Sequence, residues 1–223
     1  MKKQFFIANW KSHKNVSETE DWLQEFTILN SQFSTNKEVI LCPPFPLLSR
    51  CAEFIQRHHM SLSLGSQSVS SYPEGTYTGE VSARLLKDFV AYALVGHSER
   101  RRLFHETDKD IGEKIQLALS YQIKPVLLLS NMHTTVPQGI EIVVYEPPSA
   151  ISSDKGVHPE NPEDVETAAG FLKQKNSVSY VLYGGSITPE NVSVYTDLPS
   201  IDGVIVGGES LDPKSFASII QHA

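Results

Sequence analysis

The stretch Ile140-Glu141-Ile142-Val143-Val144-Tyr145-Glu146-Pro147-Pro148 sets a short, β-branched apolar run directly before a carboxylate and two prolines. Bounded by Gly139 and Pro147, the run Ile140 to Tyr145 has the length and continuity of a parallel strand buried on both faces. Glu146 then stands at its C-terminal end. In α/β proteins that end is where ligands meet the fold, which makes Glu146 a candidate functional carboxylate. The alternative is an ordinary glutamate before a surface loop, and what ends the other strands decides between the two. Pro147-Pro148 forms a stiff hinge for the small, polar segment Ser149-Ala150-Ile151-Ser152-Ser153-Asp154.

Outward from this stretch the chain alternates strand and helix. Gln4 to Ala8, Val39 to Cys42, Leu62 to Leu64 and Ala91 to Val95 read as strands, followed by Pro125 to Leu129, Ile140 to Tyr145, Val178 to Tyr183 and Gly203 to Val206. Helix signals lie between them. Ser17-Glu18-Thr19-Glu20 is a capping box ahead of Trp22, Phe26, Leu29 and Phe33, and Leu47, Leu48, Cys51, Phe54 and Ile55 mark a second apolar face. Ser82 begins a short helix to Phe89, and Thr107 with Asp110 begins a longer one. Asn161-Pro162, Thr188-Pro189 and Asp212-Pro213 open the remaining helices. Only about ten residues separate Leu129 from Ile140, fewer than the roughly dozen a parallel crossover needs, so a turn replaces the helix there.

Eight strands with intervening helices in 223 residues predict an α/β fold of the closed (β/α)8 barrel type, near the small end of its size range. The competing open, doubly wound sheet would carry a glycine fingerprint after its first strand, where Asn9-Trp10-Lys11 stands instead. No glycine, proline or serine block forms a linker, so a single domain over residues 1–223 is expected.

Composition narrows the function. A net charge of −7, with no basic run beyond Arg100-Arg101-Arg102, argues against nucleic acid as partner. No apolar run reaches the ~18 residues of a membrane span, and the N-terminal apolar segment is too short for a secretory signal. A cytoplasmic protein is expected. Cys42 and Cys51 lack metal-like or CxxC spacing, which fits reduced thiols.

In a (β/α)8 barrel all strand ends converge on one face, so the residues that follow each strand are read together. They are Asn9 and Lys11, Gln67, His97 and Glu99, Glu146, Gly184 to Ser186, and Gly207-Gly208. The two Gly-Gly turns follow strands seven and eight, the usual phosphate site of such barrels. Lys11 adds a cation for a phosphate or an oxyanion. No grouping has zinc-like ligand spacing. A base, a polarising group and a phosphate cradle, without a nucleophilic triad, point to proton abstraction next to a carbonyl. Glu146 is the expected base. His97, at the start of a short helix from Ser98 to Phe104, has its imidazolium form disfavoured by the helix dipole, leaving a neutral ring to hydrogen-bond an enediolate. The other histidines read as structural.

Six segments carry a resemblance. Asn9-Trp10-Lys11, Tyr77-Thr78-Gly79-Glu80, Gly96-His97-Ser98-Glu99-Arg100-Arg101, Tyr145-Glu146-Pro147, Tyr183-Gly184-Gly185-Ser186 and Val206-Gly207-Gly208-Glu209-Ser210-Leu211 resemble, in order, the signature segments of the triosephosphate isomerase family. That family is itself the standard example of a glutamate base beside a neutral histidine under a closing loop, so these roles come with the resemblance. The resemblance implies interconversion of dihydroxyacetone phosphate and D-glyceraldehyde 3-phosphate without a cofactor. It implies Asn9 and Lys11 at the substrate oxygens, His97 as electrophile and Glu146 as base, with Glu99 and Ser98 behind them. Backbone amides around Ser186, Gly207 and Gly208 are implied on the phosphate, and Pro147 to Asp154 as the lid. Thr78 is implied to enter a partner subunit near Lys11. A homodimer follows, with tetramers among shortened archaeal members.

Two departures carry expectations of their own. The missing helix at Ser130 to Gly139 predicts a gap in the barrel's outer wall, open to a partner subunit. Asp154, if it aligns with that family's lid glycine near the phosphate, would oppose binding; otherwise the lid tip registers differently or Asp154 points outward. The alternative function is a barrel that binds another phosphorylated metabolite without catalysis or with altered specificity, which leaves Glu146 without a use.

Overall fold

Successive side chains along a strand point to opposite faces, and in this chain that alternation builds a barrel with two distinct apolar layers. The structure, a computed structural model, describes residues 2–30, 33–148, 159–176 and 178–223. The strands are β1 (Gln4–Asn9), β2 (Lys37–Cys42), β3 (Ser63–Ser66), β4 (Tyr92–Val95), β5 (Lys124–Leu129), β6 (Ile142–Tyr145), β7 (Tyr180–Gly184) and β8 (Gly203–Val206). They pair in parallel and in sequence order, and β8 closes onto β1.

Phe5, Ile7, Ile40, Cys42, Leu94, Val126, Leu128, Ile142, Val144, Leu182 and Ile205 form one buried cluster inside the barrel. Residues of the other parity, including Phe6, Ala8, Leu41, Val95, Leu127, Val143, Val181 and Val206, belong to the layer shared with the helices. The interior parity runs from Ile142 and Val144 to Glu146, from Phe5 and Ile7 to Asn9, and from Ile205 to Gly207. Strand alternation thus aims these three into the mouth.

Around the barrel lie α1 (Val16–Asn30), α2 (Leu48–Arg57), α3 (Ala83–Leu86), α4 (Ser98–Leu103), α5 (Asp108–Ser120), α6 (Pro162–Asn176), α7 (Val192–Thr196) and α8 (Pro213–His222). The caps at Thr107, Asn161 and Asp212 form as expected. Three helix starts differ. The capping box of α1 is built by Asn15, whose Oδ1 accepts from Glu18 N–H at 3.0 Å while Glu18 Oε2 accepts from Asn15 N–H at 2.8 Å. Asn caps as well as Ser, so the helix begins earlier, and Ser17 donates its hydroxyl to Asn15 instead. Ser82 occupies the N-cap position of α3 but makes no cap bond, and that helix ends at Leu86, short of Phe89. Thr188 lies in a turn before α7, its N–H donating to Asn191 Oδ1 at 2.8 Å.

Residues 130–141 contain turns and no helix, as the spacing required. The expected gap in the wall does not open. Met132 and Val136 pack against the outer layer, the Val136 N–H donates to Asn176 Oδ1, and Lys175 Nζ donates to the His133 carbonyl. The His133 ring also meets Phe171 edge-on at 5.1 Å. No large hydrophobic side chain of this segment is exposed among the described residues. A short loop tied to α6 therefore occupies this part of the wall.

Candidate active site

The mouth of the barrel holds a cleft of about 220 Å³ lined by Asn9, Lys11, His97, Glu146, Gly185, Ser186, Gly207 and Gly208, together with Ile187, Thr188, Ile205, Val206 and Glu209. Every residue named from the strand ends as a substrate contact or catalytic group therefore meets in one place. Glu99 and Ser98 stand directly behind them. Gly184 packs against the barrel interior, and its neighbour Gly185 faces the cleft instead.

Lys11 is held by its backbone as well as its charge. Its φ of 50° lies in the left-handed region, costly for a residue with a Cβ. Asn9 Oδ1 accepts from the Lys11 N–H at 3.1 Å, and Gln67 Nε2 donates to the Lys11 carbonyl at 2.8 Å. Gln67 also reaches the Cys42 carbonyl, so its role is to brace the Lys11 turn, and it does not line the cleft. The Lys11 ammonium lies 2.7 Å from Glu99 Oε1. Partial burial works to raise Glu99, but the Lys11 ammonium prevails and holds its carboxyl below the usual range.

His97 caps α4. Gly96, at φ 77°, lets the chain leave β4 and turn into that cap. The Glu99 N–H donates to His97 Nδ1 at 3.1 Å. That nitrogen is therefore the acceptor, and the ring's own N–H is on Nε2, which points toward Glu146. His97 Nε2 and Glu146 Oε2 are 3.8 Å apart, and Ser98 Oγ donates to Glu146 Oε2 at 3.3 Å. Burial pushes the Glu146 carboxyl above the ordinary range, against the pull of Lys11 and the Ser98 hydroxyl. A buried carboxylate of raised basicity beside an N–H donor is equipped to take a proton while the donor stabilises the charge left behind.

Across the cleft, the turn after β8 is locked from behind. Trp10 Nε1 and Trp22 Nε1 donate to the same Ser210 carbonyl at 3.2 Å and 3.1 Å, and Ser210 Oγ donates to the Gly207 carbonyl at 2.6 Å. Asn191 Nδ2 donates to the Ser186 carbonyl at 2.8 Å and shapes the turn after β7. These two turns, on the strands that follow β6 around the barrel, bring Ser186, Gly207 and Gly208 to the same cleft as Glu146.

Sequence reasoning missed Ile187, Thr188 and Glu209, although Glu209 directly follows the Gly207-Gly208 pair. Its Oε2 accepts from Ser215 Oγ at 2.5 Å. Thr78 lies on the exposed stretch 72–80 and takes no part in this cleft. Pro147 is buried and Pro148 exposed, whereas Ser149, Ala150, Ile151, Ser152, Ser153 and Asp154 lie outside the described residues. Among the described residues no three His, Cys, Asp or Glu side chains are grouped as metal ligands would be.

A closed (β/α)8 barrel uniting a buried carboxylate, an imidazole N–H and a lysine beside two glycine turns has the layout of the barrel enzymes that move protons on anionic substrates. The triosephosphate isomerase family model matches residues 4–223, and the chain belongs to that family. Similar proteins include the triosephosphate isomerase of Dictyoglomus thermophilum, 32% identical over 99% of this chain and 100% of the relative. That of Solibacter usitatus is 34% identical over 99% of each. The crystal structure of the Bartonella henselae triosephosphate isomerase shares the fold, with a TM-score of 0.82 and 24% identity over 99% of this chain and 98% of that one.

Proposed function

We propose that this protein interconverts dihydroxyacetone phosphate and D-glyceraldehyde 3-phosphate, with Glu146 as base and His97 as electrophile. The observation that carries the reading is the convergence of Glu146, His97 Nε2 and Lys11 on one cleft with the Ser186 and Gly207-Gly208 turns. Glu146 removes a proton from the carbon next to the carbonyl, and the electrons move onto the carbonyl oxygen to give an enediolate. His97 Nε2–H and the Lys11 ammonium face the developing oxyanion, and Asn9 orients the same oxygens. A proton passes from the hydroxyl oxygen of the enediolate to the former carbonyl oxygen by way of His97 Nε2, which gives its proton to one oxygen and takes one from the other. Glu146 then returns its proton to the neighbouring carbon, so no cofactor is consumed. The turn amides at Ser186, Gly207 and Gly208 hold the phosphate. Pro147 to Asp154 is the segment assigned to exclude water.

We further place the protein in the cytoplasm, consistent with two buried thiols in Cys42 and Cys51, and as a homodimer. The stretch 72–80 carries Tyr72 and Tyr77, stacked at 4.5 Å and 48% and 40% exposed, around Thr78. Two exposed, ordered aromatic rings are suited to a subunit contact. Sedimentation of wild type against Thr78→Arg distinguishes a dimer, a tetramer and a monomer. A coupled assay in both directions tests the activity, and purified protein that binds a phosphate-bearing, non-reacting analogue without turnover overturns it.

A further inference from the structure

Behind the glycine turn after β7, two tyrosines share one backbone residue. The Tyr183 and Tyr195 rings stack with centroids 4.4 Å apart and 24° between planes. The Glu160 N–H donates to Tyr183 Oη at 3.0 Å, and Tyr195 Oη donates to the Glu160 carbonyl at 2.8 Å. The two hydroxyls are thus linked through one backbone residue, whose carbonyl Tyr195 holds and whose N–H rests on Tyr183 Oη.

This link reaches the cleft through Gly185. A Cβ on Gly185 would stand 2.3 Å from Tyr183 Oη, so the glycine backbone rests directly on that oxygen. Gly185 lines the cleft, and its carbonyl accepts the Ile187 N–H at 2.9 Å. The place of Tyr183 Oη therefore sets how far the turn can sink away from an anion above it. Tyr183 and Tyr195 are buried, at 0% and 2% exposure. Packing alone would be served by phenylalanine at 195. The hydroxyl adds only the hold on the Glu160 carbonyl.

We propose that Tyr195 is a positioning residue for the anion side of the cleft: by holding the Glu160 carbonyl it keeps the Glu160 N–H on Tyr183 Oη beneath Gly185 and so fixes the turn at Gly185-Ser186. This rests on reading that turn as part of the phosphate cradle. Without the Tyr195 hydroxyl, the hold on Glu160 weakens, and Tyr183 and the glycine resting on it relax together.

The test compares wild type, Tyr195→Phe, Tyr183→Phe and the double variant with triose phosphate, with the unphosphorylated substrate D-glyceraldehyde, and with a phosphate-bearing inhibitor. For Tyr195→Phe, KM and the inhibitor's Ki should rise together about five-fold, as expected for one net hydrogen bond, while kcat stays within about two-fold. The kcat/KM for D-glyceraldehyde should not move, since it has no phosphate to place. The double variant should show no more than the larger single effect, because both changes act on the same link through Glu160. A lower Tm with unchanged KM and Ki overturns the assignment, as does an equal loss for both substrates. Wild-type protein that turns over neither triose phosphate overturns the functional reading itself, and this proposal with it.

Discussion

His97 Nε2 and Glu146 Oε2 face each other across 3.8 Å, too far for a hydrogen bond and near enough for both to reach one small substrate. A direct bond would occupy both groups, the base by its partner and the donor by its acceptor. Ser98 holds the carboxylate at 3.3 Å in the meantime. Glu146→Gln keeps the shape and removes the base, so kcat should fall by roughly 100- to 10,000-fold while the affinity for a phosphate-bearing inhibitor changes little. Stopped-time assays and inhibitor titration on the same preparation check this, and equal losses in both would contradict the base role.

The raised Glu146 carboxyl also predicts a pH profile. The base must be ionised, so the acidic limb of kcat/KM should lie above the ordinary carboxylate range, and Lys11→Met, which removes a nearby positive charge, should move it further up. Stability runs the opposite way. The folded state holds this proton more tightly than the unfolded chain, so the group costs stability as pH rises from the unfolded carboxylate value through its raised one. At neutral pH, Glu146→Gln should therefore melt higher than wild type, a gain that disappears in acid.

Glu209 brings a carboxylate to the anion side of the cleft, where Ser215 Oγ holds it at 2.5 Å. A negative charge there opposes a phosphate dianion through solvent-screened repulsion. Glu209→Gln should lower KM by about two- to five-fold at low salt, with a smaller effect at high salt. A KM that ignores both the substitution and the salt would show that the carboxylate is fully turned away.

The strongest stability effect should come from a pair outside the cleft. Lys114 Nζ pairs with Glu106 and bonds Ser68 Oγ at 3.1 Å, and Arg100 Nε lies 3.3 Å from Glu106 Oε2. Glu106 and Lys114 are both buried. Lys114→Met leaves the carboxylate buried without its main partner and should cost about 3–5 kcal/mol in denaturant unfolding. Adding Glu106→Leu should recover much of that loss, since no uncompensated charge remains.

The barrel and most of its site are legible along the chain for a local reason. A parallel strand buried on both faces reads as a short apolar run, and its last residue is displayed at the mouth, so Glu146, Asn9 and Gly207 can be found from parity alone. Caps are legible only where one residue competes for the position. Asp212 is unambiguous, whereas Asn15 and Ser17 are both good caps two residues apart, and the backbone selects Asn15. The wall at residues 130–141 departs from expectation because a missing helix shows in the spacing, but the contacts that replace it, from Asn176, Lys175 and Phe171, come from a distant helix.

The sequence by itself determined the order of elements and the residues delivered to the strand ends, because periodicity and turn chemistry act over a few neighbouring positions. Only the three-dimensional structure decided which nitrogen of His97 bears the proton, how Gln67 braces Lys11, and that Glu160 links Tyr183 to Tyr195. The first depends on the backbone turn that presents the Glu99 N–H to the ring, and the other two on groups far apart in the chain brought within about 3 Å, a scale at which hydrogen-bond direction and burial, not residue type, set the chemistry.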